Sequence, residues 1–470
     1  MPERLAFVTG HLAEPRLRQV LEGMGETPFA WEVRNLSVKV AALMTPEIIR
    51  RRIGPLAGVD RVILPGRCRG DLKALSADLG VPVERGPDEV KDLPQFFGRE
   101  AKGVDLTRHD CRIFAEIVEA PQLDVAGIVE RARSLRADGA DVVDLGCLPD
   151  TPFPHLGDAV TALKGEGWAV SVDSGDADEL RRGAEAGADY LLSLTEATLD
   201  LAFETAAVPV LIPARHGDLD SLLRAAERLE RAGKAYMADP ILDPIHFGFT
   251  DSVVRYHEFR RRMPEAEMLM GVGNLTELTD ADTTGITAVL MGMVSELRIR
   301  NILVVQVSPH CRTAVREAEL ARRVMFAARE TASLPQGFDT GLMALRGRRP
   351  FPNSPAEVAW NAAQVSDPNY RVEVAEDGLH VYNRDGHHVA LDPFELFPGL
   401  GVEADGAHAF YLGVELARAQ VAHKLGKRYA QDNELDWGVA AEAPKSDQEH
   451  FIAPGSTLEA RRKQRRRASS

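Results

Sequence analysis

Residues 112–146, RIFAEIVEAPQLDVAGIVERARSLRADGADVVDLG, decide the fold of the longest part of this chain. Two short apolar runs, RIFAEIV (112–118) and DVVDLG (141–146), flank a helical pattern in which apolar residues recur every three or four positions. A strand, a helix and a second strand in this order predict a βαβ unit with parallel strands. If the alternation continues, the chain must form a larger parallel α/β domain.

The alternation does continue, with helical patterns between further apolar runs. The next candidate strands are WAVSVD (168–173), YLLSL (190–194), VPVLIP (208–213), AYMAD (235–239), EMLMGVG (267–273) and NILVVQV (301–307). Eight strands with short connections and intervening helices predict a TIM (β/α)8 barrel. A doubly wound open sheet is the alternative, and the count of eight strands favours the barrel.

The length of the chain predicts more than one hydrophobic core, since 44% of its 470 residues are hydrophobic. The first hundred residues alternate strands and helices and predict a small Rossmann-like α/β domain. After the barrel, RVEVAEDGLHVYNRDGHHVAL (371–391) predicts a three-stranded meander with Asp-Gly turns, followed by an amphipathic helix. We expect an N-terminal α/β domain at 1–108, the barrel at 109–332, an α+β appendage at 333–445 and a disordered basic tail at 446–470.

Composition excludes several classes of function. A net charge of -15 argues against a nucleic-acid binder held by phosphate contacts. The arginine-rich run at 461–467 is interpreted as a solvated tail, with a docking or RNA-contacting tail as the alternative. The four cysteines form no CxxC pair, and no apolar segment reaches the roughly 20 residues of a membrane span. We therefore expect a soluble cytoplasmic protein.

Polar residues at the C-terminal ends of the barrel strands are the candidate functional residues, because barrel enzymes carry their chemistry there. Asp173 ends a buried apolar strand, where a polar side chain without a partner is costly, and this favours a functional role over a helix cap. Asp144 is equally compatible with a ligand contact and with tying a neighbouring loop. The full set at these strand ends is Glu116, Asp144, Asp173, Ser193, Arg215, His216, Asp239, Asp243, Asn274 and Gln306.

The stretch YMADPILDPIHFGFT (236–250) suggests what the barrel binds. Each of its two acids precedes a proline that stiffens the backbone. Phe247 and Phe249 flank Gly248, so two rings could line a flat slot that the backbone approaches closely. A carboxylate can accept two parallel hydrogen bonds from an amino-pyrimidinone edge, which predicts a planar heterocycle as ligand. A metal site is the competing interpretation.

Three segments together resemble the dihydropteroate synthase family of pterin-binding barrels. They are GADVVDLGCLPDTPFP (139–154), AVSVDSGDADELRRGAEAGADYLLSL (169–194) and ADPILDPIHFGF (238–249). The resemblance spans residues 111–330 and implies a reduced pterin as substrate. It places Asp173 and Asp239 at the two pterin-contacting carboxylates and Ser193 where the family usually has Asn. We add Asp144, Phe247 and Asn274 as candidate pterin contacts.

The chain also departs from this family. The Lys of the family's seventh strand is absent, since the sequence there is GVGNLTEL with Asn274, and the Arg-x-His of the eighth strand is replaced by Gln306-Val307-Ser308. Those basic residues contact the pterin, the aminobenzoate and an anion in the family, so the departures argue against ordinary folate synthesis. The residues that could rebuild an anion site are Arg215, His216, His310 and Arg312.

The order of domains and the segment GVGNLTELTDAD look like the family variant linked to tetrahydromethanopterin biosynthesis, in one-carbon metabolism. The resemblance implies a transferase in which an arylamine displaces pyrophosphate from a dihydropterin methylene diphosphate. The implied arylamine is ribofuranosylaminobenzene phosphate, and a homodimer is usual in the family. Glu116 is the candidate Mg2+ ligand, because this ion prefers carboxylate oxygens and waters. The catalytic candidates are Asp173, Asp239, Arg215 and His310.

Two other functions stay open at this point. A reduced-pterin-binding methyltransferase or carrier needs no diphosphate site, which fits the missing Lys and Arg. A non-catalytic scaffold with a degenerate barrel is the third hypothesis, and VILPGRCRGD (62–71) in the N-terminal domain invites it. Its Gly66, Arg67, Arg69 and Gly70 would form a phosphate-binding turn, although a plain strand-to-helix connection is favoured.

Overall fold

The computed structural model describes residues 2–38, 41, 44–66, 68, 71–87, 90–98 and 105–443. These residues form two compact units, one with the chain up to His109 and Arg323–Phe338, the other with Asp110–Arg322 and the chain from Asp339. The boundaries expected at 108, 332 and 445 stay a prediction. The basic run at 461–467 lies outside the described residues, as do Arg67, Arg69 and Gly70 of the phosphate-turn hypothesis.

The N-terminal unit contains a four-stranded parallel sheet in the order β2-β1-β3-β4. Successive residues of strand β1 (Glu3–Thr9) face opposite sides of the sheet. Ala6 packs in one hydrophobic core with Ile49, whereas Phe7 packs in a second hydrophobic core with Leu21. Helices therefore cover both faces of the sheet, which confirms the predicted Rossmann-like α/β fold. The elements are β1 (Glu3–Thr9), α1 (Glu14–Gly23), β2 (Phe29–Asn35), α2 (Pro46–Arg52), β3 (Arg61–Leu64), α3 (Leu72–Leu79), β4 (Val83–Arg85) and α4 (Leu93–Phe96).

The second unit contains the predicted barrel, apart from the part of its last helix that begins at Arg323, which groups with the first unit. Its elements are β5 (Arg112–Ile117), α5 (Val125–Ala137), β6 (Val142–Gly146), α6 (Leu156–Gly165), β7 (Ala169–Asp173), α7 (Ala177–Glu185), β8 (Tyr190–Leu194), α8 (Leu201–Glu204), β9 (Val208–Leu211), α9 (Leu219–Arg231), β10 (Met237–Ala238), α10 (Phe249–Arg262), β11 (Leu269–Gly271), α11 (Gly273–Thr276), α12 (Thr283–Glu296), β12 (Asn301–Val304) and α13 (Ala314–Glu330).

All eight strands predicted from the sequence are present, in the order β10-β9-β8-β7-β6-β5-β12-β11. Their pairs are parallel, and β12 pairs with β5, so the last strand joins the first. A parallel bridge between Ala238 and Met268 joins the two ends of this order. The sheet is thus a closed TIM barrel, and the open doubly wound sheet is excluded.

Local sequence explains these elements. All five residues of β6 are buried, as expected for a strand covered on both faces. Helices follow acids that cap them: the Asp124 carboxylate accepts a hydrogen bond from the Gly127 amide at 2.7 Å at the start of α5. Asp176 caps α7 in the same way, so the neighbouring Asp173 is not used as a cap.

The N-terminal ends of the strands are closed by packed and hydrogen-bonded side chains. Arg112 donates to the Tyr190 hydroxyl and to Asn301 Oδ1, each at 2.8 Å. The rings of Phe114 and Tyr190 meet edge to face with centroids 5.0 Å apart. This end therefore serves stability, which leaves the C-terminal end of the strands for a ligand.

The appendage after the barrel is the predicted α+β structure. Strands β13 (Arg371–Ala375), β14 (Gly378–Asn383) and β15 (Gly386–Ala390) form an antiparallel meander, with α16 (Gly406–Leu425) packed against β13 and β14. Gly378 has a φ of +142°, which explains the glycine at the first turn. Within the described ranges, no helix has the length and apolar character to span a membrane. The elements are α14 (Pro355–Ala363), β13 (Arg371–Ala375), β14 (Gly378–Asn383), β15 (Gly386–Ala390), α15 (Pro393–Leu396) and α16 (Gly406–Leu425).

Candidate active site at the barrel mouth

A cavity of about 530 Å³ lies at the C-terminal ends of the barrel strands. Its volume is in the range of small-molecule sites. The cavity brings together residues from seven different strand ends or the loops that follow them. The predicted site residues that line it are Glu116, Asp173, Ser193, Asp239 and Asn274.

The walls of the cavity are aliphatic. Leucine, valine and isoleucine side chains supply them, namely Leu192, Val210, Ile212, Leu269, Leu303 and Val305. The expected phenylalanine walls are not formed, since neither Phe247 nor Phe249 lines the cavity and the Phe247 side chain is 76% exposed. Phe247 lies in the turn before α10, where Gly248 has a φ of +120°. The apolar slot is therefore present, but its walls come from the strands.

Asp239 follows β10 and is held from one side. Its Oδ1 accepts hydrogen bonds from the Tyr256 hydroxyl and from the Ile241 amide, the latter at 2.7 Å. In the described part of the chain, Oδ2 accepts no hydrogen bond, and it lies near Gly271 in the cavity lining. Burial raises the pKa of Asp239 to about 6, although the Tyr256 hydrogen bond opposes this rise. One carboxylate oxygen is thus fixed and the other is available to a ligand.

The second acid of the same loop, Asp243, has a structural role. It is buried and pairs with the buried guanidinium of Arg255, with 2.8 Å between Nη2 and Oδ2. Arg255 also donates to the carbonyl oxygens of Pro240 at 2.8 Å and Ile241 at 2.6 Å. The Asp243–Arg255 pair therefore fixes the loop that carries Asp239, and Asp243 does not line the cavity.

Asp173 at the end of β7 has a comparable arrangement. The Ser193 hydroxyl, on the neighbouring strand β8, donates to Asp173 Oδ1 at 2.9 Å. Burial raises the pKa of Asp173, and this hydrogen bond partly opposes the rise. Ser193, a candidate pterin contact, thus contacts the Asp173 carboxylate, and its role toward a ligand stays a prediction.

Asp144 lies behind the cavity lining and is fully buried. Its Oδ1 accepts a hydrogen bond from the Ser171 hydroxyl at 2.5 Å, and its buried Oδ2 has no hydrogen-bond partner among the residues that the structure describes. One carboxylate oxygen from each of Glu116, Asp144 and Asp173 lies within 4.8 Å of the other two. We call these three residues the acid cluster.

The acid cluster holds its negative charge at a high free-energy cost. Burial raises the pKa of Glu116 to about 7, and the charge of Asp173 adds to the rise. The pKa of Asp144 is well above its ordinary value, first because of burial and then because of Asp173 and Glu116. The cluster therefore needs bound protons or a bound cation.

Glu277 and Ser308, also in the lining, were not predicted from the sequence. The two oxygens of Glu277 accept hydrogen bonds from the backbone amides of Val307 and Ser308, each at 2.8 Å. Across the mouth, Asn274 Nδ2 donates to the Leu242 carbonyl at 2.7 Å. These contacts tie the loops after β10, β11 and β12 to one another.

The basic candidates lie elsewhere. Arg215 is exposed in the loop after β9, and His310 is 3.0 Å through Nε2 from the Thr276 carbonyl oxygen. Neither lines the cavity, and no Arg, Lys or His is present among the described residues that do. Burial raises the pKa of the Cys311 thiol to about 12, so this thiol is not activated as a nucleophile. Catalytic roles for Arg215 and His310 stay predictions.

Three comparisons with known proteins bear on this chain. The profile of a family of unknown function, DUF6513, matches residues 3–88. An uncharacterized protein of Methanocaldococcus jannaschii, MJ0107, is 24% identical over 527 residues, which cover 92% of this chain and 99% of that protein.

Solved structures similar to this chain include three dihydropteroate synthases. The Yersinia pestis enzyme has 19% identity and a TM-score of 0.37, covering 48% of this chain and 95% of its own. The Vibrio fischeri enzyme has 13% identity and a TM-score of 0.39, covering 48% and 94%. The Coxiella burnetii enzyme, in complex with pteroic acid, has 15% identity and a TM-score of 0.38, covering 47% and 94%.

Proposed function

We propose that the protein binds a reduced pterin in the barrel cavity and joins it to an arylamine. The observation that carries the proposal is the convergence of Asp173 and Asp239 on one apolar-walled cavity. Each carboxylate has one oxygen held by a hydroxyl group, from Ser193 and Tyr256 respectively. This arrangement suits a flat heterocycle with N–H donors on its edge.

The binding mode follows from these contacts. The amino-pyrimidinone edge of a pterin offers adjacent N–H donors, which carboxylate oxygens accept in a charge-assisted way. The aliphatic walls, including Leu192, Val210 and Leu303, would pack on the faces of the ring. A pterin thus uses both the polar and the apolar parts of the cavity.

The proposed reaction breaks the C–O bond between the pterin methylene and its diphosphate and forms a C–N bond to the arylamine. The diphosphate leaves with the bonding electrons, and the amine loses a proton. A dihydropterin can delocalise the positive charge that develops at the methylene, so the enzyme contributes mainly by positioning the reactants and stabilising charge. Asp173 and Asp239 would supply the positioning.

Mg2+ fits the residues at the floor of the cavity. The acid cluster offers only oxygen donors, and Asp144 Oδ2 has no hydrogen-bond partner among the described residues. Glu116 and Asp173 would hold the ion on the cavity side, where it would neutralise charge on the diphosphate. Ribofuranosylaminobenzene phosphate is the proposed amine because the sequence resemblance implies it; the described residues of the lining include no basic side chain that would choose between its phosphate and the carboxylate of p-aminobenzoate.

Pterin binding tests the first half of the proposal. Fluorescence titration with a dihydropterin should show saturable binding, and Asp239→Asn should weaken it by about 2 kcal/mol, roughly 30-fold. Asp251→Asn, at an exposed acid of α10, is the matched control and should leave the affinity unchanged. Equal affinities for wild type and Asp239→Asn would contradict the assignment. No binding by wild type would favour the scaffold hypothesis.

The condensation is tested separately. Purified protein with Mg2+ and dihydropterin diphosphate is offered p-aminobenzoate or ribofuranosylaminobenzene phosphate, and product mass and pyrophosphate release are followed. We expect product with the ribosylated amine alone. Product with neither amine, from protein that binds the pterin, would reject the condensation.

A second candidate function has its own support. The described lining of the cavity has no Arg, Lys or His to bind a diphosphate. A methyltransferase or carrier for a reduced pterin needs no such contacts. This candidate predicts tight binding of a methylated reduced pterin and no release of pyrophosphate.

A further inference from the structure

We infer that Glu116, Asp144 and Asp173 bind one divalent cation at the floor of the cavity, with the buried Asp144 as a ligand. This assigns Asp144 to the cation instead of the pterin. The role of the cation beside a diphosphate rests on the proposed function, whereas its binding does not.

The first observation is the unpartnered oxygen of Asp144. The side chain is fully buried, the Ser171 hydroxyl donates to Oδ1 only, and Oδ2 has no hydrogen-bond partner in the described part of the chain. A buried carboxylate oxygen without a partner is costly and requires an explanation. One oxygen of Asp144 lies within 4.8 Å of one oxygen each from Glu116 and Asp173, so a single ion between them can contact all three.

The second observation is the space beside Glu116. Gly146 ends β6, and a Cβ on this residue would lie 2.5 Å from Glu116 Oε1 and 3.2 Å from the Val118 Cα. A side chain at this position would press on the end of the Glu116 side chain and on the backbone at Val118. Glycine therefore leaves room for the Glu116 carboxylate in its observed position beside the other two acids.

The third observation is the lack of a compensating positive charge. In the ranges that the structure describes, Glu116, Asp144 and Asp173 form no ion pair, and Ser171 and Ser193 are their only side-chain hydrogen-bond donors. Three buried or half-buried acids without Arg, Lys or His are unusual unless a cation joins them. All the donors are oxygen atoms, which selects hard ions such as Mg2+, Mn2+ or Ca2+.

Because Glu116 and Asp173 line the cavity while Asp144 lies behind them, the ion would face the ligand from the floor. Asp173 would contact both the ion and the pterin, with Ser193 fixing its Oδ1. The cation would thereby be placed at the pterin rather than brought in by the diphosphate alone.

The test measures Mn2+ binding to the metal-free, full-length protein without pterin or diphosphate, by electron paramagnetic resonance of free Mn2+. We expect one saturable site, displaced by Mg2+. Asp144→Asn should weaken it at least ~10-fold, since even partners of metal ligands contribute that much to affinity. Glu116→Gln, at a half-buried position less critical for folding, should do the same.

Asp239→Asn is the matched control, because Asp239 lines the cavity outside the acid cluster. It should lose pterin affinity and keep Mn2+ affinity, whereas Asp144→Asn should lose Mn2+ affinity. Absence of a saturable Mn2+ site in wild type would overturn the inference, as would equal Mn2+ affinities for wild type, Asp144→Asn and Glu116→Gln. Pterin binding is measured separately. If the proposed function fails, the protein binds Mn2+ but no pterin, whereas failure of the present inference shows as the loss of the Mn2+ site.

Discussion

The Tyr256 hydroxyl donates a hydrogen bond to Asp239 Oδ1, and Tyr256 is fully buried in α10. The Ile241 amide donates to the same oxygen. Together these donors orient the carboxylate and favour its ionised form. The helix that follows the ligand loop is therefore part of the site, although none of its residues lines the cavity.

Tyr256→Phe should weaken pterin binding by about 1.5 kcal/mol, roughly tenfold, because a hydrogen bond to a charged acceptor is lost. The pKa of Asp239, about 6 in the wild type, should rise in the variant. If the ionised carboxylate accepts the pterin N–H groups, affinity increases as the pH rises through this pKa. The midpoint of the pH–affinity curve should therefore move to higher pH in Tyr256→Phe.

Tyr236→Phe is the control for this prediction. Its hydroxyl donates to Glu230 at 2.8 Å, and Tyr236 does not line the cavity. Fluorescence titrations across the pH range should give the same midpoint as the wild type. A Tyr256→Phe midpoint equal to that of wild type would show that the hydrogen bond does not act on the ligand.

The Asp243–Arg255 pair gives a stability prediction. Arg255→Met removes one partner of a buried ion pair and should lower the free energy of unfolding by about 3 kcal/mol. The loop that carries Asp239 also loses the hydrogen bonds to the Pro240 and Ile241 carbonyls. Urea unfolding of the purified variant measures the change.

Arg261→Met is the matched control on the same helix. Arg261 pairs with Glu258 at 2.7 Å, but its side chain is 66% exposed. Such surface pairs contribute about 0.5 kcal/mol or less. Similar losses in the two variants would mean that burial of the Asp243–Arg255 pair has no special effect.

Gly146→Ala tests the space beside Glu116. The new Cβ would lie 2.5 Å from Glu116 Oε1, so the carboxylate must leave its present position in the acid cluster. We expect a loss of about 1–3 kcal/mol in stability, as for other overpacked sites, together with weaker Mn2+ binding. Gly165→Ala, where a Cβ meets no atom within 4 Å at the end of α6, should leave Mn2+ binding unchanged and should not lower stability, since alanine restricts the unfolded chain. If Gly146→Ala binds Mn2+ as tightly as the wild type does, the space at Gly146 is not required for the cation site.

The barrel and several site residues could be predicted because both leave local signals. Each strand is a short apolar run, and polar residues such as Asp173 and Asp239 stand where those runs end. The positions of these residues around one mouth follow from the barrel itself.

Other parts of the site depend on contacts that no local pattern shows. Tyr256 lies 17 residues after Asp239 and has the sequence signature of an ordinary core tyrosine. Glu277 binds backbone amides 30 and 31 residues away. Phe247 was expected in the cavity because it adjoins Gly248, but the direction of that turn depends on backbone angles: His246 and Gly248 have φ of +70° and +120°.

The acid cluster makes stability depend on pH. The folded-state pKa of Glu116 is about 7, above the ordinary value of 4.5, and those of Asp144 and Asp173 are also raised. Between pH 4.5 and about 7, the folded protein therefore binds more protons than the unfolded chain. The free energy of unfolding must fall as the pH rises through this range. The Tm of the metal-free protein should be lower at about pH 8 than at about pH 5, by on the order of a few degrees.

Glu116→Gln distinguishes two causes of this pH dependence. One is the acid cluster, and the other is the charge repulsion within a chain of net charge -15, which also increases as the pH rises. The Tm of Glu116→Gln should change less between the two pH values than that of wild type, because the carboxyl group with the pKa of about 7 is gone. Addition of Mg2+ at the higher pH should raise the Tm of wild type and have little effect on Glu116→Gln, since a ligand that binds only the folded state stabilises it. Parallel slopes for wild type and variant would show that the pH dependence arises outside the acid cluster.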